Sequence, residues 1–182
     1  MKKVISRSFK VLIVSALFLV GVPWMVFSAQ QSGISPLAPD FAAVSLDGKP
    51  IGKAQLVGKP YVVNFFASWC PPCRSEIPDM VSLQNQYSSK GFTFIGVAVN
   101  ESEQAIRDFI SSNHISYPVV MATPQLRSAF GRYVDGGIRG IPTSFVVNTS
   151  GRITRIITGS MSKGDFEKLI LEALRTKGAV KQ

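Results

Sequence analysis

The stretch FFASWCPPCRSEIPDM, Phe65 to Met80, decides the fold. It holds both cysteines of the chain, Cys70 and Cys73, with two prolines between them. Two cysteines three positions apart suit a metal site, a covalent haem site or a redox dithiol. Zinc needs four ligands, usually a second such pair or two histidines. The chain has one histidine, His114, forty-one residues beyond Cys73. Covalent haem needs a histidine directly after the second cysteine, and Arg74 stands there. A purely structural disulfide across so short a loop removes little entropy from the unfolded chain and stabilises little. The redox dithiol remains, with no metal and no cofactor expected. His114 lies in SSNHISYP, at an expected helix end, and is given no role.

The flanks of the pair support this reading. YVVNFFA, Tyr61 to Ala67, is a β-branched and aromatic run that reads as a buried strand. Beyond Cys73, the residues Ile77, Met80, Val81 and Leu83 fall largely on one helical face. A helix follows, kinked at Pro78 and stopped at Gly91. The cysteines therefore sit where a strand gives way to a helix N-terminus. Backbone N–H groups and the positive dipole end favour a thiolate there. The thiolate is the attacking species in disulfide exchange, so Cys70 is the expected nucleophile. Cys73, one turn inside the helix, is the expected resolving thiol.

Outward from this centre the chain alternates strands and helices. FAAVSLDGKPIG reads as an N-terminal hairpin around Asp47-Gly48. Phe92 to Val99 reads as a second buried strand. Asn100 with Glu103 forms an expected capping box for a helix bearing Ala105, Ile106, Phe109 and Ile110. YPVVMA is a short strand and TPQLRSAFG a helix of about two turns. TSFVVN and RITRIITG are strands joined at Thr149-Ser150-Gly151. Ser162 caps a last helix with Phe166, Leu169, Ile170, Ala173 and Leu174 on its apolar face. The pattern predicts one α/β domain over 40–178, with a mixed central sheet and helices on both faces.

The N-terminus reads as a targeting segment. MKKVISRSFK is positively charged, and Val11 to Ala29 is uncharged and mostly apolar. Residues 1–29 are thus a signal peptide or an N-terminal membrane anchor, with the positive end left in the cytoplasm. The length of the apolar run favours the anchor. Residues 30–39 read as a tether, and everything after about Gln30 is expected on the extracytoplasmic or periplasmic face. The net charge is +9, but Lys2, Lys3, Arg7 and Lys10 precede the first acidic residue, Asp40. No basic run interleaved with aromatics follows, so nucleic acid is not an expected partner.

FFASWCPPCRSEIP together with GIRGIPTSFVVNTSGRI resembles the thioredoxin superfamily. Within it the chain is similar to the exported, often membrane-anchored TlpA/ResA-like thiol–disulfide oxidoreductases. The resemblance covers about residues 36 to 176. It implies a thioredoxin-like fold with an N-terminal β-hairpin and a central helix–strand insert around ESEQAIRDFISSNHISYPVV. It implies a redox-active Cys70–Cys73 disulfide and a cis Pro142 facing it. Trp69, Ile141 and Pro142 become expected substrate-binding residues, with the Ile141 backbone pairing to an extended substrate chain. Where thioredoxin itself has a buried aspartate, this chain has Asn64, which cannot take a proton. Glu76, one helical turn beyond Cys73, is the expected base in its place. Thr143 follows Pro142 where the cytochrome-maturation branch often carries an acid.

The resemblance implies reduction of protein disulfides, with apocytochrome c as a substrate and a membrane dithiol as electron donor. Pro71-Pro72 removes two N–H groups from the helix start and should leave Cys70 less acidic than in a strong oxidant. Two alternatives stay open at this point. One is a disulfide isomerase or oxidase. The other is a Cu(I)-handling thiol protein, since two close thiolates suit that ion.

Overall fold

The buried strand expected over Tyr61 to Ala67 is there, and it lies in the middle of the sheet. Strand β3, Tyr61–Phe66, is buried at every position, as a strand covered on both faces must be. The structure, a computed structural model, describes residues 35–175. The expected signal or anchor over 1–29, the first part of the tether and residues 176–178 lie outside the described residues. Among the described residues no helix is long and apolar enough to cross a membrane.

The chain opens with an antiparallel hairpin, β1 (Ala42–Val44) and β2 (Pro50–Gly52), and a short helix α1 (Lys53–Leu56). After β3 come helix α2 (Pro71–Tyr87), a 3-10 turn (Ser88–Lys90) and strand β4 (Thr93–Ala98). Helix α3 (Glu103–Ser112) and strand β5 (Val119–Met121) form the central helix–strand unit. Helix α4 (Pro124–Gly131), strands β6 (Thr143–Val147) and β7 (Ile153–Thr158), and helix α5 (Lys163–Arg175) complete it. The five-stranded sheet runs β5-β4-β3-β6-β7. β4 pairs parallel with β3 and β5, whereas β6 pairs antiparallel with β3 and β7. The mixed sheet and the terminal β6–β7 hairpin are as the sequence pattern predicts.

Alternation along the strands separates two apolar layers. Phe65 and Phe145 face one side and meet Phe130 of α4 edge-on, at centroid distances of 5.8 and 5.0 Å. Phe41 joins them 5.8 Å from Phe130. On the other side Phe94 packs against Phe166 of α5 at 5.5 Å, and Phe66 against Phe109 of α3 at 6.3 Å. Helices therefore cover both faces. Asn64, in register with Gly96 and Ser144, belongs to this second side.

The capping box expected at Asn100 gives way to another residue. The cap of α3 is Ser102, whose Oγ accepts the Ala105 N–H at 3.2 Å. Asn100 lies two residues earlier with φ 55° and takes no part in the cap, because its backbone is turned left-handed to bring the chain off β4. Glu103 pairs with Arg107 along the helix instead. Pro78 lies inside α2, which continues as one element from Pro71 to Tyr87. The end of the expected tether is bonded down: the Ala38 N–H donates to Gly151 O at 2.8 Å and the Ile153 N–H to Pro36 O at 2.8 Å. His114 is exposed beyond the end of α3.

Candidate active site

Cys70 is the N-cap of α2, with extended backbone angles (φ −86°, ψ 111°), and Pro71 and Pro72 fill the first helical positions. Proline suits those positions, since its fixed φ is already helical and its missing N–H had no intrahelical acceptor. Cys70 and Cys73 form a disulfide with their Cα atoms 5.3 Å apart. Cys70 is 4 % exposed and Cys73 fully buried. The first thiol is thus less open than its helix-terminal position suggests, but it is the more accessible of the two.

The approach to Cys70 is fixed from α3 and α2. Glu101 accepts the Ser68 N–H at 2.9 Å and also the Ser68 hydroxyl. The Arg74 guanidinium donates to Ser68 O at 3.1 Å and lies over the Phe109 ring. Held this way, the loop presents Trp69 to solvent at 57 % exposure. Neither Glu101 nor Ser68 was legible as a site residue. A glutamate just ahead of a helix carries no signal that it reaches back to a loop thirty-three residues earlier.

The Ile141–Pro142 peptide is cis, and Ile141 O lies 3.8 Å from Cys70 Sγ. Thr143 turns its hydroxyl back to donate to Gly140 O at 2.8 Å. The structure therefore brings Trp69, Cys70, Ile141 and Pro142 to one end of the sheet, where β3 finishes and β6 begins.

Behind the disulfide lies a buried polar group. Glu76 is 2 % exposed, on the same inward face of α2 as Cys73. The Asn64 amide donates to Glu76 Oε1 at 2.8 Å and to Ser144 Oγ at 2.9 Å. The Met161 N–H donates to Glu76 Oε2 at 3.2 Å. Burial pushes the Glu76 carboxyl up to about 7, and the two hydrogen bonds only partly oppose this. A carboxyl so placed is a proton acceptor or donor near neutral pH. Among the described residues, Asn64 Oδ1 and the Tyr117 hydroxyl are buried without a hydrogen-bond partner. Burial, with a smaller push from Glu76, raises the Tyr117 hydroxyl above its ordinary value. The sequence pointed to Asn64 and to Glu76 as the base in its place, but not to the hydrogen bond between them. The Ser144 and Met161 contacts arise from β6 and the β7–α5 loop and needed the fold.

The family model described as Redoxin matches residues 34–172. The thiol-disulfide oxidoreductase ResA of Bacillus subtilis (strain 168) is 32 % identical over 136 residues, 73 % of each chain. The crystal structure of a thiol:disulfide interchange protein of the thioredoxin family from Chlorobium tepidum TLS superposes with a TM-score of 0.75. It is 54 % identical, and the match covers 77 % of this chain and 97 % of that one. StoA from Bacillus subtilis is similar at 25 % identity and a TM-score of 0.60, covering 73 % of this chain and 97 % of that one.

Proposed function

The chain belongs to the Redoxin family and is a protein-disulfide oxidoreductase of thioredoxin-like fold; from that premise we propose that it acts as an exported reductase of protein disulfides. The observation that carries the direction is the environment of the helix start. Pro71 and Pro72 withhold two N–H groups from Cys70, and the buried Glu76 carboxylate sits behind the pair. Both disfavour negative charge on the thiols. A thiolate that is poorly stabilised makes the reduced form the better electron donor.

In this reading the Cys70 thiolate attacks a substrate disulfide. The substrate S–S bond breaks, one substrate thiolate leaves and takes up a proton, and a mixed disulfide joins Cys70 to the other sulfur. The substrate chain lies along Ile141 beside Trp69 and Pro142. Glu76 then accepts the Cys73 proton, and Cys73 attacks Cys70. The Cys70–Cys73 disulfide forms and the second substrate thiol is released. Two electrons have passed to the substrate, and a membrane dithiol carrier restores them. Apocytochrome c is the proposed substrate. The N-terminal segment is proposed as the export signal or anchor that places this chemistry on the extracytoplasmic face.

Equilibration of the Cys70–Cys73 couple with dithiothreitol or glutathione tests the direction. The expected potential lies nearer the thioredoxin value of about −270 mV than the strong-oxidant value of about −120 mV. A value above about −180 mV would make the oxidase or isomerase reading the better one.

A further inference from the structure

Three arginines, Arg127 and its neighbours Arg132 and Arg139, line one open depression on α4 and the loop that follows it. All three are exposed. Among the described residues none of them forms an ion pair, whereas Lys49, Lys53, Arg107 and Arg155 each do. The loop's own carboxylate, Asp135, is exposed and makes none of the contacts that hold the arginines.

These guanidinium groups are built in. Arg139 Nε donates to Gly136 O at 2.9 Å. Its Cζ and Nη2 occupy the place where a side chain on residue 136 would begin, 2.6 Å from the position of a Cβ. Gly136 also has φ +73°, a left-handed conformation that glycine adopts without steric cost. Arg127 Nη2 donates to Ile138 O at 3.0 Å, and Arg132 lies over the Tyr133 ring. A guanidinium carries five N–H donors, and each of these backbone bonds uses one. Four N–H donors on each of Arg127 and Arg139 remain after these bonds.

The Arg139 end of the depression is close to the chemistry. Arg139 precedes Pro142 by three residues, which spans at most about 11 Å even in a fully extended chain. The same loop delivers Ile141 O to Cys70 Sγ. We propose that the arginine-lined depression is a docking surface for an acidic, extended segment of the disulfide-bearing protein, lying a few residues from the cysteine that Cys70 attacks. The inference rests on the disulfide-exchange reading above and adds a substrate class to it. Carboxylate side chains pair with planar guanidinium forks in two-point geometry, which supplies orientation as well as attraction. Exposed charges mainly accelerate encounter, and that contribution weakens with salt.

The test uses three peptides, each with one internal disulfide and identical except for four flanking positions, which are all Glu, all Gln or all Lys. Single-turnover oxidation of the reduced protein is followed by acid quench and thiol alkylation, at about 20 mM and about 300 mM salt. The expected result is that the Glu peptide reacts about tenfold faster than the Lys peptide at low salt, with the ratio falling to about two or less at high salt. Arg127→Gln with Arg139→Gln should collapse the Glu-to-Gln peptide ratio, a quantity that divides out any loss common to all peptides. Arg132→Glu, which disturbs neither loop bond, should reverse part of the preference by itself. Equal rates for the Glu and Lys peptides, or a preference that survives both the double variant and Arg132→Glu, would overturn the proposal. Failure of the unaltered protein to reduce even the Gln peptide would instead sink the disulfide-exchange reading.

Discussion

Glu76 ties stability to acidity, and the sign follows from where its proton sits. Its carboxyl is raised from an ordinary 4.5 to about 7. Between those values the folded protein holds a proton that the unfolded chain has released. Stability therefore falls as pH rises through this window and levels off above it, by a total on the order of 3 kcal/mol. Urea titration of the oxidised protein at pH 4.5 and 7.5 should show this loss, and Glu76→Gln should remove most of the difference. In the reduced protein the same variant should make Cys70 more acidic by about one unit, because a negative neighbour is gone. It should also prolong the mixed disulfide, which a pH profile of alkylation and a single-turnover decay would show. An unchanged profile together with unchanged decay would leave Glu76 a buried structural acid only.

Among the elements, β4 has a requirement that only the fold makes visible. A Cβ on Gly96 would lie 2.9 Å from the Phe66 ring, 3.2 Å from Val119 and 3.5 Å from the Tyr117 ring. Those side chains close over the strand beside Asn64, the residue that holds Glu76. Gly96→Ala should destabilise the protein by about 1–3 kcal/mol, measured as a shift in the denaturation midpoint. Sequence pattern alone made β3, α2 and α5 legible, because each is a long apolar run or a strongly one-sided face with an ordinary boundary signal. It placed the α3 cap two residues early, since Asn100 with Glu103 satisfies the spacing rule as well as Ser102 does by itself. Which of two good capping side chains is used depends on where β4 releases the chain, a tertiary matter. The site divided the same way. Cys70, Cys73 and Pro142 belong to short local motifs, and Glu76 was placed by its helical spacing. The contacts of Ser144, Met161 and Glu101 cross between distant parts of the chain and left no local trace.

Across the whole molecule, the aromatic layer on the α4 side holds the sheet to the loop that carries the arginines. Phe130 touches Phe41, Phe65 and Phe145 and is fully buried. Phe130→Ala should cost about 3–5 kcal/mol by calorimetry or denaturant titration, the range for truncating a packed phenylalanine. A loss under about 1 kcal/mol would mean that the layer closes over the gap and that α4 is held by other contacts.

The register of β3 with β6 sets Tyr61 against Val147 at one end and Phe65 against Thr143 at the other. The disulfide lies beyond the second end. The incoming chain is bonded at the first: Arg152 donates to Ser35 O at 2.7 Å and the Tyr133 hydroxyl to Leu37 O at 2.7 Å. The domain is therefore gripped at its heel while its reactive tip points away, with a strand's length of about 17–20 Å of sheet between them. A pull applied at Ser35 would therefore load the β6–β7 base of the sheet before it reached the Cys70 end.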